Sequence, residues 1–413
     1  TDTYNVAVGY HAGNDVTTGV QNTIVGGLAG DAITTGSYNI AIGANGGGGV
    51  TTGSQNILIG QGTGMAALTG DLNTVVGDSA GAALTSGTQN TIVGGLAGDA
   101  LTTGSQNVAL GYEALTSDDV GSDSVAIGKG TLQNQNFTTA TNSYNTAVGR
   151  DAGNDITTGI KNVIMGGLAG DALTDADFNT AIGFGALSTD TLGSHSTAIG
   201  NLALLNQNKG SAHDMYNTAV GTSAGSGLTT GYQNTLIGAL AGSTDDTGRT
   251  TVAVGFQAAF QQNSDADEET QNTAVGYQTS YHNVTGRGNT SLGFKAGAGN
   301  TGSHSDLVAI GSKAGLDITT GNNNVFVGSS AGENVTSGGQ NTFIGSLSGD
   351  VTDDGAENTA VGYASLSLGN CGDGNTTVGH ASLYACTGAG NTAIGASAGS
   401  QITSGGNLNA FGK

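Results

Sequence analysis

In 413 residues the sequence contains no proline and no tryptophan, only two cysteines, and only nine lysines and arginines together. Each scarcity excludes something. Collagen needs abundant proline and a glycine at every third position, and the 76 glycines here follow no such spacing. Charged residues make up 10% of the chain, while Val, Ile and Thr recur at regular intervals. That is the opposite of a disordered composition. Nine basic residues against 31 acidic ones leave a formal charge of −22. No nucleic-acid partner is expected, because such affinity comes largely from neutralising phosphates. The same charge argues against an anionic membrane surface. No apolar run is long enough to cross a bilayer and no signal-peptide pattern is seen, so membrane insertion is not expected. The numbering then starts at a mature or internal residue, or export uses no cleaved leader.

What the sequence does contain is a repeat. Residues 22–38 read NTIVGGLAGDAITTGSY, return as NTIVGGLAGDALTTGSQ at Asn90 and again as NVIMGGLAGDALTDADF at Asn162. Counted from this Asn, starts fall at 5, 22, 39, 56, 73, 90, 107, 124, 145, 162, 179 and 196. They continue at 217, 234, 251, 272, 289, 307, 324, 341, 358, 375, 391 and 408. A fixed period of this size marks a stacked, quasi-one-dimensional architecture. Position 5 is always Gly, including Gly9, Gly26, Gly94, Gly166 and Gly276. It reads as a turn needing positive φ or close backbone approach. Position 4 is always apolar, position 2 is mostly Thr, Val or Ile, and position 3 is mostly Ala. Positions 2–4 therefore form a short strand whose two faces are both apolar, the pattern of a strand covered on both sides. Position 8 is always small and position 12 is usually Val, Ile or Leu. A second strand is expected near positions 11–14, with turns at the glycines of positions 5 and 15. The Asn at position 1 would form a ladder of side-chain amides. The fold class is all-β, a parallel β-solenoid or β-roll of about 24 stacked coils forming one continuous domain over 1–413.

Five repeats depart from 17 residues. The coils at 124–144, 196–216 and 251–271 are longer, with extra residues expected in Leu132–Asn136, Leu205–Asn208 and Phe260–Asn263. The repeats starting at 289 and 375 have 18 and 16 residues. Insertions at one register carry binding in many repeat proteins. The candidate binding residues are Gln133, Asn134, Asn136, Phe137, Asn206, Gln207, Asn208, His213, Gln261, Gln262, Asn263 and Asp265. The alternative is a tolerated surface loop.

Cys371 and Cys386 lie one coil apart, a spacing that permits a disulfide and an oxidising, extracellular setting; two buried thiols are the alternative. The six histidines make no metal-ligand spacing, and no nucleophile, base and orienter come together in sequence, so no enzyme activity is expected. Acidic clusters at Asp118-Asp119, Asp245-Asp246, Asp265 to Glu269 and Asp353-Asp354 offer hard oxygen ligands for Ca²⁺. They match neither an EF-hand nor a GGxGxD loop. Solvated loops and no cofactor are expected. Thr pairs at positions 13 and 14 would form rows on a flat face, the pattern an ice-binding surface needs, although β propensity alone also explains them.

Ser124–Gly128 reads SVAIG, with close variants at Ser196 and Leu307. This resembles the head repeats of trimeric autotransporter adhesins. Asn272–Gln278, NTAVGYQ, is similar to repeats of bacteriophage tail fibres. The resemblance implies a left-handed β-roll and three chains about one axis. Positions 2 and 4 would fill the roll with position 3 toward the axis, or the reverse. It also implies an extracellular, cell-surface or virion location and attachment to a glycan or protein receptor. A structural filament subunit that polymerises end to end is the alternative, since no obvious polar cap is visible at Thr1 or Lys413.

Overall fold

The computed structural model describes residues 3–264 and 269–412. Its described residues form strands and turns, with no helix. The architecture is a parallel β-solenoid of about 24 coils, as the period implies. Contacts divide it into two compact units. The first runs to Leu202 and includes Asn208–Asp214; the second takes Ala203–Gln207 and the chain from Met215 onward.

Each unit is built from three-residue strands at positions 2–4. In the first unit Thr23–Val25 pairs in parallel with Val6–Val8 on one side and Ile40–Ile42 on the other. In the second, Val325–Val327 lies between Val308–Ile310 and Thr342–Ile344. The registers match equivalent positions of adjacent coils, so identical side chains stack in rows.

The faces of the strand are not equivalent. Position 3 points inward and is fully buried, as at Ile24, Leu58, Ile92, Ala147 and Phe326. Positions 2 and 4 point outward and stay half-buried or exposed. Of the two orientations implied by the resemblance, position 3 is therefore the one that fills the coil. The second cover expected over the strand is absent within the described chain. The interior is completed by position 8 (Ala29, Ala97), position 12 (Ile33, Leu101) and the Asn of position 1. With inward sites this crowded, position 8 has room only for a small side chain.

A regular second strand does not form. Positions 11–14 run through turns and bends, joined to the next coil by backbone bonds such as Thr17 N–H to Thr34 O (2.9 Å) and Thr157 N–H to Thr174 O (2.9 Å). Left-handed backbone flanks this stretch. Position 7 lies in the left-handed region (Leu28 φ 58°, Leu168 φ 56°), as do position 9 (Gly30 φ 49°) and position 17 (Gln89 φ 59°, Lys161 φ 59°). These left-handed residues bound the stretch on either side and limit how far an extended run could reach. The glycine of position 5 is required twice over: Gly166 has φ +136°, and a Cβ there would sit 2.5 Å from Gly183 O of the next coil.

Candidate functional site

The Asn ladder is the repeated polar element of the core. Asn39 donates its amide to Gly53 O of its own coil (2.8 Å) and to Asn22 Oδ1 (3.2 Å). Its own Oδ1 accepts from the backbone N–H of Asn56 (2.9 Å). The same bonds recur at Asn73, Asn90 and Asn162. Each buried amide thus satisfies a backbone carbonyl and a backbone N–H that face no water.

The ladder is interrupted at Ser124, Ser196 and Thr251, the first residues of the three long coils. There a different network takes over. Gln135 is fully buried and donates to Asp118 Oδ2 (2.7 Å) and Ser124 Oγ (2.8 Å). Its Oε1 accepts from Asn145 (2.9 Å), which resumes the ladder. Asp118 also accepts from Gly121 N–H (2.9 Å). In the second unit Gln262 repeats the pattern with Asp245 (3.0 Å), Thr251 (3.0 Å) and Asn272 (3.1 Å). Burial pushes the carboxyls of Asp118 and Asp245 upward against these donors, Asp245 to about 6. The acidic pairs Asp118-Asp119 and Asp245-Asp246 are therefore not the solvated loops expected; their first members lie in the core. Among the described residues no group of His, Cys, Asp or Glu is arranged to hold a metal ion.

The long coils also diverge elsewhere than the amide-rich segments suggested. Register holds through Asn136, whose N–H bonds Thr157 O (2.9 Å), and is regained at Thr141, which pairs with Gly121. Between them Thr138, Thr139 and Ala140 face solvent. Of the predicted binding residues, Phe137, Gln207 and Gln262 are buried and take no part in an exposed surface. Asn134, Asn136, Asn206 and Asn263 face solvent. Gln133, Asn208, His213 and Gln261 are half-buried. Gln133 accepts from Asn154 (2.9 Å), and Asn208 donates to Thr189 O (2.9 Å). Asp265 lies outside the described residues, as do Thr1 and Lys413.

Cys371 and Cys386 are buried free thiols. Cys371 donates to Cys386 O (2.8 Å). Its contact with Cys386, together with burial, pushes the Cys371 thiol up, while that same contact lowers Cys386. At position 13, Thr17, Thr102 and Thr174 donate their hydroxyls to carbonyls of the next coil at 2.8–2.9 Å. The position-14 threonines Thr18, Thr35 and Thr103 are exposed.

Side chains with binding chemistry concentrate on outer rows of the second unit, which sequence reasoning missed. Phe256, Tyr277 and Phe294 at position 6 stack with centroids 5.5 and 5.4 Å apart. At position 10, Phe260 stacks on Tyr281 (5.0 Å), and His282 meets Tyr281 edge-on (4.5 Å). A cleft of about 450 Å³ opens beside Tyr281, lined also by Gln278, His282, Lys295, Asn300 and Asp317. The signal was available: aromatics recur one period apart at positions 6 and 10 of these coils. No protein-family model matches the chain, and no curated protein is significantly similar to it.

Proposed function

We propose that the chain is a non-enzymatic fibre segment, displayed outside a cell or on a virion, that attaches to a host or matrix surface as a homotrimer of left-handed coils. The observation carrying this reading is the open face of the strand. Positions 2 and 4 bear no charged residue in any coil, in a chain of formal charge −22. Leu110, Met165, Ile237, Leu292 and Ile344 on that face are 39–46% exposed. An uncharged apolar row of this kind within a unit marks a protein contact surface. Its lack of charge suits an identical row better than a charged partner. The interior is committed to scaffold, which leaves the outer rows to meet a receptor.

Light scattering tests the assembly. A trimer gives three times the 40.1 kDa chain mass. Val93→Lys combined with Leu110→Lys places like charges on the shared face and is expected to release monomers. A monomeric wild-type protein overturns the trimer. A mass that keeps growing with concentration supports an end-to-end filament instead.

A further inference from the structure

The aromatic row at position 10 stops abruptly. Phe260 and Tyr281 stack, but the next coil places Ala298 at that position, followed by Gly299. One ring face of Tyr281 is thus covered by Phe260, and the opposite face looks across a coil whose position 10 carries no large side chain. Leu316, one coil further, forms the far wall, and Ala298 and Gly299 form the floor. Tyr281 and Leu316 stand two coils apart. At about 4.8 Å per coil, less the thickness of the walls, the opening is about 6 Å wide.

The rim carries planar polar groups. Asn300 donates to Asp317 Oδ1 (3.2 Å), leaving the second carboxylate oxygen to accept from a ligand. Gln278 is oriented by its bond to Gln257 (2.8 Å) and keeps its own carbonyl oxygen free. His282 Nδ1 lies 2.7 Å from Gln261 Oε1, which fixes the tautomer with Nδ1 protonated and leaves Nε2 an acceptor. Burial lowers the His282 pKa and keeps the ring neutral. Lys295 and Asp317 balance in charge. A second cleft of about 370 Å³ in the same unit repeats the plan: Tyr384 stands between Ser367 and Ser400 at position 10, beside the stacked Tyr363 and His380.

We infer that the slot between Tyr281 and Leu316 binds a pyranose ring of a neutral hexose oligosaccharide. The apolar C–H face of the sugar lies on the open face of Tyr281, and Asp317, Asn300, Gln278 and His282 bond its hydroxyls. An aromatic face for the ring and amide or carboxylate partners for vicinal hydroxyls are the two halves of sugar chemistry, and the slot supplies both with no net charge. This inference rests on the attachment reading and names its receptor.

The full chain is titrated with maltohexaose, cellohexaose and mannohexaose, and applied to an array of neutral and acidic glycans. Binding of at least one neutral hexaose is expected. Tyr281→Ala and Asp317→Asn should each weaken it at least tenfold, and Tyr281→Phe should keep most of it. Ala298→Phe is the decisive variant. It continues the ring stack through the slot, so folding measured by circular dichroism should be retained while binding is lost. Binding that survives Ala298→Phe overturns the slot. Failure of every neutral hexaose, or a strict requirement for an acidic sugar, overturns the ligand class. Attachment itself is judged separately by adhesion of the purified chain to intact cells, so an adherent chain that ignores these sugars refutes the slot alone.

Discussion

Asn162→Ala removes one rung of the buried ladder. In the native coil the Asn162 amide donates to Ala176 O (2.8 Å) and to Asn145 Oδ1 (3.3 Å), and its Oδ1 accepts from Asn179 N–H (2.9 Å). Truncation leaves the Ala176 carbonyl and the Asn179 N–H buried without partners. Each orphaned group costs about 1–3 kcal/mol, so the loss should be about 2–6 kcal/mol. Asn162→Asp should fare no better, because its second oxygen would face the Ala176 carbonyl and a charge would be buried. Contacts run mainly between adjacent coils, so the effect should be local. Native-state hydrogen exchange should therefore speed up most for the amides of residues 163–180, and the urea midpoint should fall. Gln89→Ala, at an exposed position, is the control. Loss under about 1 kcal/mol, or exchange rates indistinguishable from the control, would refute the ladder as a stabilising element.

Gly166→Ala should cost about 3 kcal/mol or more by urea unfolding, since it combines a glycine-only φ with a Cβ pressed against Gly183 O. Gln89→Gly should stabilise by up to about 1 kcal/mol, because Gln89 sits at φ 59° and Gly relieves the left-handed penalty. Asp245 titrates at about 6 in the folded chain against 3.8 as its ordinary value. Between those values the folded state holds the extra proton, so this stabilisation is complete below pH 3.8 and disappears as pH rises through 6. Relative to Asp245→Asn, which does not titrate, the wild type should lose about 2 kcal/mol between pH 4 and 7. A difference that stays flat across that range would refute the raised value.

The period alone disclosed the strand at Thr23–Val25, the amide row at Asn22 and the obligatory turn at Gly26, because each depends on a residue type recurring in register. The orientation of the strand was not legible. Thr91, Ile92 and Val93 are uncharged on both sides, and only the structure separates buried Ile92 from its neighbours. The absent second strand was hidden for a different reason. Leu168, Lys161 and Gln89 adopt positive φ, yet none belongs to a residue type that announces it. The network at the long coils did leave a trace. Asp118 and Asp245 replace Leu or Ile at position 12, the next coil begins with Ser124 or Thr251, and its position 12 is Gln135 or Gln262. The three substitutions make sense only together, and read one at a time they suggested surface loops.

That network has a consequence for how the chain finds its fold. Coils that copy one another are interchangeable neighbours, and a stack slipped by one repeat within a uniform stretch sacrifices little. A slip across Asp118 is different. The carboxylate would then face an aliphatic side chain, Gln135 would lose its acceptor, and Ser124 would stand where an amide must bridge two backbones. The uneven coils thus act as landmarks along an otherwise ambiguous tape, penalising misaligned pairings that the regular coils would tolerate.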